Sequence, residues 1–291
     1  MSLEELRDEC VQSLRADHER GASQLARMAL GYLAEAARDA SITDVATLRS
    51  ELDHLARDLA AARPSMAPIA NLVARWRAAV AGLAADELAP ARAAYVEQAQ
   101  ALVAQSQQAA LEAARRAAAR IPSGATILTH SLSSTVAEAL HLLQGRATVI
   151  FTESRPRLEG HRLGRWLSAA EMTGQMITDA QLGHFAAQAD VALVGADAVL
   201  ADGAIVNKVG TYLLALAARD HELPFYVCYE SFKRTTATSE ETSLEEMDPA
   251  ELSPPELPGI LTRNVYFDVT PARLVTAWID EDGSIEEWSA G

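Results

Sequence analysis

Through the first 120 residues, apolar positions recur every three or four residues, with charges on the opposite positions. That is the period of amphipathic helices. Alanine and leucine dominate and glycine is scarce, which favours helix throughout. The spacing predicts helices over 3–14, 24–38, 44–63, 66–84 and 89–120. The last has no Gly or Pro after its start and reads as one continuous helix linking two halves. After Pro122-Ser123-Gly124 the pattern changes. Short apolar runs at 126–129, 148–151, 175–177, 191–194 and 225–228 alternate with helical stretches at 136–143, 161–170, 181–188 and 208–218. Alternating βα units predict a parallel sheet with helices on both faces. A further strand, a short helix over 271–274 and a strand over 275–279 follow. Residues 235–258 are acidic, polar and proline-containing, and read as a loop or flap beside the site. The expected class is α/β, with a helical N-terminal domain over 1–121 and a parallel-sheet domain over 122–291.

Composition narrows the function classes. The chain has 291 residues, 49% of them hydrophobic, enough for two cores. Its formal net charge of -15 disfavours direct nucleic-acid binding, which calls for a basic face. The start, MSLEELRDEC, is acidic and polar, and no apolar run approaches the about 18 residues of a membrane span. Cys10 and Cys228 lie far apart. A reduced, cytoplasmic protein is the expectation.

Candidate chemistry gathers where predicted strands end. The run 191–194 breaks at Gly195 and delivers Asp197; Asn207-Lys208 and Gly210 then precede an apolar helical run. An acid for proton transfer and a cation beside a helix N-terminus stand close together in the chain. A solvated surface turn is the plainer alternative. The first strand runs out into Thr129-His130-Ser131-Leu132-Ser133-Ser134-Thr135, hydroxyls that suit a phosphate or sugar or simply cap the next helix. The second runs into Glu153-Ser154-Arg155-Pro156-Arg157-Leu158-Glu159-Gly160, where an arginine meets an anion or a structural Glu. In the helical half, Arg20-Gly21-Ala22-Ser23 and Arg63-Pro64-Ser65 each sit before a helix, either as anion sites or as helix punctuation.

Other chemistries lack their patterns. There is no HExxH or CxxC spacing, so no metal is expected, and no P-loop or GxGxxG, so no cofactor is expected. There is no GxSxG nucleophile elbow. His130 on an apolar strand reads as a packed residue before a base, and Cys228 inside another strand as inert core.

Eight motifs in order, RGAS (20–23), RPS (63–65), ILTHS (127–131), ESRPRLEG (153–160), VGADAV (194–199), NKVGT (207–211), ESFK (230–233) and FDVTPARLV (267–275), resemble the superfamily of aldose-1-phosphate isomerases and initiation factor 2B α/β/δ subunits. Its enzymes include methylthioribose-1-phosphate isomerase and ribose-1,5-bisphosphate isomerase. The resemblance implies a helical N-terminal domain, a Rossmann-like C-terminal domain and a homodimer assembled through the latter. It implies a sugar-phosphate site between the domains. There Arg20, Gly21, Ala22 and Arg63 hold phosphate or sugar, Asn207 and Lys208 hold substrate, and Lys233 adds a second cation. Ser133, Ser134 and Thr135 contact a second phosphate, and Asp197 is the catalytic acid.

Two departures stand out. The isomerases carry Cys where this chain has Ser131. A thiol, with a pKa of about 8.5, is poised as a base near neutrality; a serine hydroxyl needs a neighbouring base. Glu159 replaces a Gln, placing a carboxylate that repels phosphate or changes the hydroxyl contacted. The expectation is a protein that binds a phosphorylated sugar or nucleotide with impaired or altered isomerase chemistry. The alternatives are a working aldose–ketose isomerase with Ser131 at the thiol position, and a translation-factor-like interaction protein.

Overall fold

The computed structural model describes residues 3–83 and 87–288, and it divides into two compact units, 1–108 and 109–291. The first is helical: α1 (Leu3–Ala16), α2 (Ala22–Ala36), α3 (Val45–Ala60), α4 (Ala67–Ala81) and most of α5 (Leu88–Ala119). Each begins within two residues of its expected start. The expected end of α4 at residue 84 lies outside the described residues. Helix α3 starts where Asp44 accepts a hydrogen bond from the Thr47 N–H, an N-cap that satisfies an otherwise orphaned donor. Pro68 stands in the first turn of α4, where its missing N–H costs nothing. Leu25, Leu30, Leu33, Leu48, Leu52, Leu59, Ile69, Leu72 and Trp76 are fully buried along the inner faces, and α2 and α3 both pack on α4. Along α5, Ala91, Tyr95, Ala99, Leu102, Ser106, Ala109, Ala113 and Ala117 are buried at intervals of three and four. The alanines therefore form one small-residue stripe rather than a uniformly apolar rod.

The second unit carries a seven-stranded sheet, among the described residues, in the order β10-β9-β7-β4-β1-β2-β3. The strands are β1 (Ala125–Thr129), β2 (Ala147–Thr152), β3 (Gly174–Ile177), β4 (Val191–Val194), β7 (Phe225–Cys228), β9 (Ala277–Ile279) and β10 (Ser284–Ile285). All neighbours are parallel except β9 and β10. Helices α6 (Ser134–Leu142), α7 (Glu159–Ala169), α8 (Leu182–Ala186) and α9 (Thr211–Asp220) cross over between strands. Side chains alternate across the sheet. Ile127, Val149, Phe151, Val191 and Leu193 face α6, α7 and the end of α5. Leu128, Ile150, Ala192, Val194 and Val227 face α8 and α9. The result is a three-layer α/β fold.

The chain winds outward from β1 in both directions, so the β1–β4 boundary is the point where strand order reverses. In open α/β sheets that boundary forms a crevice at the carboxyl ends of the strands. A second sheet, β5 (Ala198–Val199), β6 (Ile205–Lys208) and β8 (Phe267–Thr270), is antiparallel and three-stranded. The expected helix over 208–218 therefore begins at Thr211, because Lys208 belongs to a strand. Residues 235–258 are irregular apart from a 3₁₀ turn at Pro249–Leu252. They are tied down by a bridge between Glu246 and Val265 and by the Glu246–Arg263 ion pair.

Candidate functional site

Strand β1 runs out into His130, the next residue, which is buried. Its Nε2 lies 2.8 Å from the Val209 carbonyl oxygen and its Nδ1 lies 2.6 Å from Thr152 Oγ1. A carbonyl only accepts, so Nε2 carries the proton and Nδ1 accepts from the threonine. Ser154 Oγ then donates to Thr152 Oγ1 at 2.9 Å and accepts from the Ser131 N–H at 2.8 Å. The Ser154 hydroxyl also lies 3.4 Å from the Thr152 carbonyl oxygen, a second and longer acceptor. Burial holds the His130 pKa below its ordinary value, against the opposing pull of the Val209 hydrogen bond, so the ring is neutral. The relay fixes Ser131 in the left-handed region at φ 66, a conformation non-glycine residues rarely adopt. Of the two readings of His130, the packed, hydrogen-bonded residue is the one this geometry favours. His130→Phe keeps a flat ring but takes the donor from the half-buried Val209 carbonyl. We expect a loss of about 1–3 kcal/mol in urea-unfolding free energy.

The β4 exit lies against the same corner. A Cβ added at Gly195 would come within 2.4 Å of Ser133 Oγ, so glycine is required for the loop after β4 to approach the start of α6. Ser133 is the N-cap of α6, its Oγ accepting from the Val136 N–H at 3.4 Å. Ser134 opens the helix. Two residues beyond Gly195, Asp197 is half-buried, and its N–H donates to the Val206 carbonyl at 2.8 Å. That bond places Asp197 beside β6, next to Asn207.

Asn207 and Lys208 are buried. The Asn207 amide donates to Thr211 Oγ1 at 3.0 Å, and that hydroxyl donates to the Lys208 carbonyl at 2.6 Å. Across the strand pair, Asp268 is in register with Asn207. Its Oδ2 accepts from the N–H groups of Gly210 at 2.7 Å and Tyr212 at 3.1 Å. Gly210 has φ 105, and a Cβ there would stand 2.8 Å from His130 Nε2. Only glycine permits this close turn over the histidine.

Lys208 Nζ is 2.7 Å from Glu159 Oε1 and 4.4 Å from the centre of the Tyr266 ring. The cation is therefore paired, and it lies over an aromatic face that attracts it. The Tyr266 hydroxyl donates to Glu251, which also takes Arg157 at 3.0 Å and the Asn264 amide at 3.0 Å. Arg157 thus adopts a structural Glu–Arg pairing. Lys233 and Glu230 are both buried and stand 3.0 Å apart. Thr135 Oγ1 donates to the other Glu230 oxygen at 3.2 Å. Cys228 is fully buried, which pushes its thiol pKa far up; that suits an inert core residue.

In the helical unit, Gly21 is the N-cap of α2, with extended φ and ψ of -75° and 164°, and Ala22 opens the helix. Arg20 and Arg63 meet at Asp17. The Arg20 guanidinium bonds the Asp17 carboxylate, while Arg63 Nη1 donates to the Asp17 carbonyl at 3.0 Å. Burial raises the Asp17 pKa, but hydrogen bonds from Arg20 and from the Glu19 N–H outweigh it, and the net shift is downward.

Sequence reasoning did not single out Asp17, Glu230, Tyr266 or Asp268. Glu230 was legible as an opposite charge three residues before Lys233. Asp268 was legible as a lone acid inside an apolar strand. Asp17 and Tyr266 left no local signal. Among the described residues no cluster of three His, Cys, Asp or Glu side chains could hold a metal. No described helix is long and apolar enough to cross a membrane.

Residues 18–287 match the initiation factor 2 subunit family. A translation initiation factor eIF-2B subunit 2-like protein of Pyrococcus furiosus is 38% identical over 247 residues, 83% of each chain. Methylthioribose-1-phosphate isomerase of Pelotomaculum thermopropionicum is 34% identical, covering 92% of this chain and 79% of the enzyme. The crystal structure of the translation initiation factor eIF-2B of Pyrococcus horikoshii matches with a TM-score of 0.84 at 33% identity, covering 96% of both chains.

Proposed function

The chain belongs to the initiation factor 2 subunit family, and on that premise we propose that it binds a phosphorylated sugar or nucleotide at the carboxyl ends of β1 and β4 without efficient isomerase turnover. One observation carries this reading: both ring nitrogens of His130 are engaged, by Thr152 and Val209. Moving a proton between adjacent sugar carbons needs a base at the Ser131 position and an acid opposite it. Asp197 is the acid in this proposal. Ser131 offers a hydroxyl that needs a base to activate it, and the neighbouring imidazole has no nitrogen lone pair to spare.

Binding requires less. Ser133, Ser134 and Thr135, at the start of α6, supply hydroxyls and N–H groups to a phosphate. Asn207, Lys208, Glu159 and Lys233 frame the sugar, and Arg20, Gly21, Ala22 and Arg63 are the anion contacts assigned to the helical unit. A cytoplasmic homodimer is the expected form. Calorimetry with pentose and hexose phosphates is expected to show binding, with turnover of ribose-1,5-bisphosphate and methylthioribose-1-phosphate absent or slow. Ser131→Cys is expected to raise turnover at least tenfold, and Asp197→Asn to abolish that gain. A folded protein that binds none of these phosphates removes the reading.

A further inference from the structure

In the helical unit, α3, α4 and α5 line a cavity of about 430 Å³ in which Asp17, Arg20 and Arg63 take no part. Its walls are largely apolar: Leu52 from α3, Trp76, Val80 and Ala81 from α4, and the Tyr95 residue of α5. The Trp76 and Tyr95 ring centres are 5.7 Å apart, inclined at 44°. Trp76 Nε1 donates to the Tyr95 carbonyl at 3.2 Å, so the indole has no donor left and offers the cavity apolar surface alone. Tyr95 differs. It is 4% exposed, yet its hydroxyl has no partner among the described residues and is not sealed in the core. A hydroxyl in such a place has given up most of its water without a protein group in return. At the rim, Arg77 is committed, with Nε and Nη2 donating to Asp53 Oδ1 at 3.0 and 2.7 Å. Asp53 also pairs with Arg57 at 2.9 Å. Arg49 is steadied by one bond, Nη2 donating to the Leu83 carbonyl at 2.9 Å, and it pairs with no carboxylate among the described residues. The rim thus holds an uncompensated guanidinium in a chain whose formal net charge is -15.

We propose that this cavity is a binding site for a flat heteroaromatic carboxylate of one or two rings. The rings lie against Leu52, Trp76 and Val80, a polar ring atom meets the Tyr95 hydroxyl, and the acid pairs with Arg49. The site is separate from the strand-end corner and does not depend on the sugar-phosphate reading. Its volume is toward the small end of ligand pockets, which run from about 300 to about 1,000 Å³, and suits one or two rings. A cationic ligand is turned away by Arg49. A free sugar would set its hydroxyls against walls that cannot bond them. A phosphate monoester near neutrality brings close to two charges to one uncompensated guanidinium. A fatty acid suits the walls and Arg49 but brings nothing to Tyr95. A heteroaromatic acid answers all three features, and guanidinium–carboxylate pairing is among the stronger hydrogen-bonded contacts.

The test is calorimetry of the full chain with indole-3-acetate, 1-naphthylacetate and indole-3-acetamide. Indole-3-acetate is expected to bind with a Kd below about 1 mM. Naphthylacetate lacks the ring N–H and is expected to bind about fivefold more weakly. The acetamide lacks the charge and is expected to bind about tenfold more weakly. In Tyr95→Phe the first gap should close to within about twofold and the second should persist; in Arg49→Gln the reverse is expected. Residues with a purely structural role would change melting temperature and leave both ratios as in the wild type. Ala81→Trp, at the exposed rim, fills the cavity and is expected to abolish binding. Should Tyr95→Phe fail to fold, as judged by circular dichroism, the wild-type series and Ala81→Trp decide alone. The proposal is overturned if the folded wild type binds no indole-3-acetate, if octanoate binds as tightly, if Ala81→Trp binds normally, or if both ratios are unchanged in the Tyr95 and Arg49 variants.

Discussion

Lys233→Met lowers the unfolding free energy by about 3–5 kcal/mol, the largest loss expected from any single change at this site. Lys233 reads from sequence as a second cation for the ligand. In the fold its ammonium is 3.0 Å from Glu230, with side-chain exposures of 5% and 1%. Methionine fills much the same space, so packing is largely kept and the loss is electrostatic. Removing the ammonium leaves a buried carboxylate without its counter-charge, and a neutral donor such as the Thr135 hydroxyl at 3.2 Å is too little to replace a full charge. The double substitution Lys233→Met with Glu230→Gln removes both charges and should recover most of the loss. Urea unfolding of the two single variants and the double variant measures the coupling. If the single Lys233 variant unfolds like the wild type, the ammonium is not holding Glu230, and its role is toward a ligand instead.

Stability also falls as pH rises from about 4 to about 6, by up to about 3 kcal/mol from Asp268 alone. Burial raises the Asp268 pKa from 3.8 to about 6, partly opposed by hydrogen bonds from the Tyr212 and Gly210 N–H groups. Its Oδ1 is buried and unbonded among the described residues, so the charged form is under-solvated. The sign follows from proton counts. Between the two pKa values the native state holds a proton that the unfolded state has released, and raising the pH then favours the unfolded chain. The contribution is fully present below the unfolded value and is gone above about 6. Asp268→Asn cannot titrate. The difference in unfolding free energy between wild type and variant should therefore shrink from pH 4 to pH 7, then stay flat. A difference independent of pH would mean that Asp268 is ionised throughout.

What the sequence made legible follows from periodicity. The apolar runs at 191–194 and 225–228 coincide with β4 and β7, because fully buried parallel strands read as continuous apolar stretches. The small antiparallel sheet did not show. β5 has two residues, and β6 pairs with β8 across some sixty positions of chain, so no local pattern announces it. Asn207 consequently read as a loop residue and Lys208 as the start of a helix, whereas both are strand residues paired with β8. Charges were visible but not their partners. Lys208, Lys233, Arg20 and Arg63 all read as open cations. The fold gives Lys208 to Glu159, Lys233 to Glu230, and both arginines to Asp17. Partner choice depends on contacts distant in sequence, and only the folded chain brings those together.

Tyr266 has one more consequence. Its ring lies under the Lys208 ammonium while its hydroxyl reaches Glu251, so the 3₁₀ turn at Pro249–Leu252 is held at a fixed distance from β6. Residues 253–260, immediately beyond, are exposed. The acidic tract is thus anchored at this turn and exposed beyond it. An epitope grafted into the exposed stretch is expected to leave the lysine undisturbed, whereas a single-residue deletion beside Glu251 is expected to be felt at its ammonium.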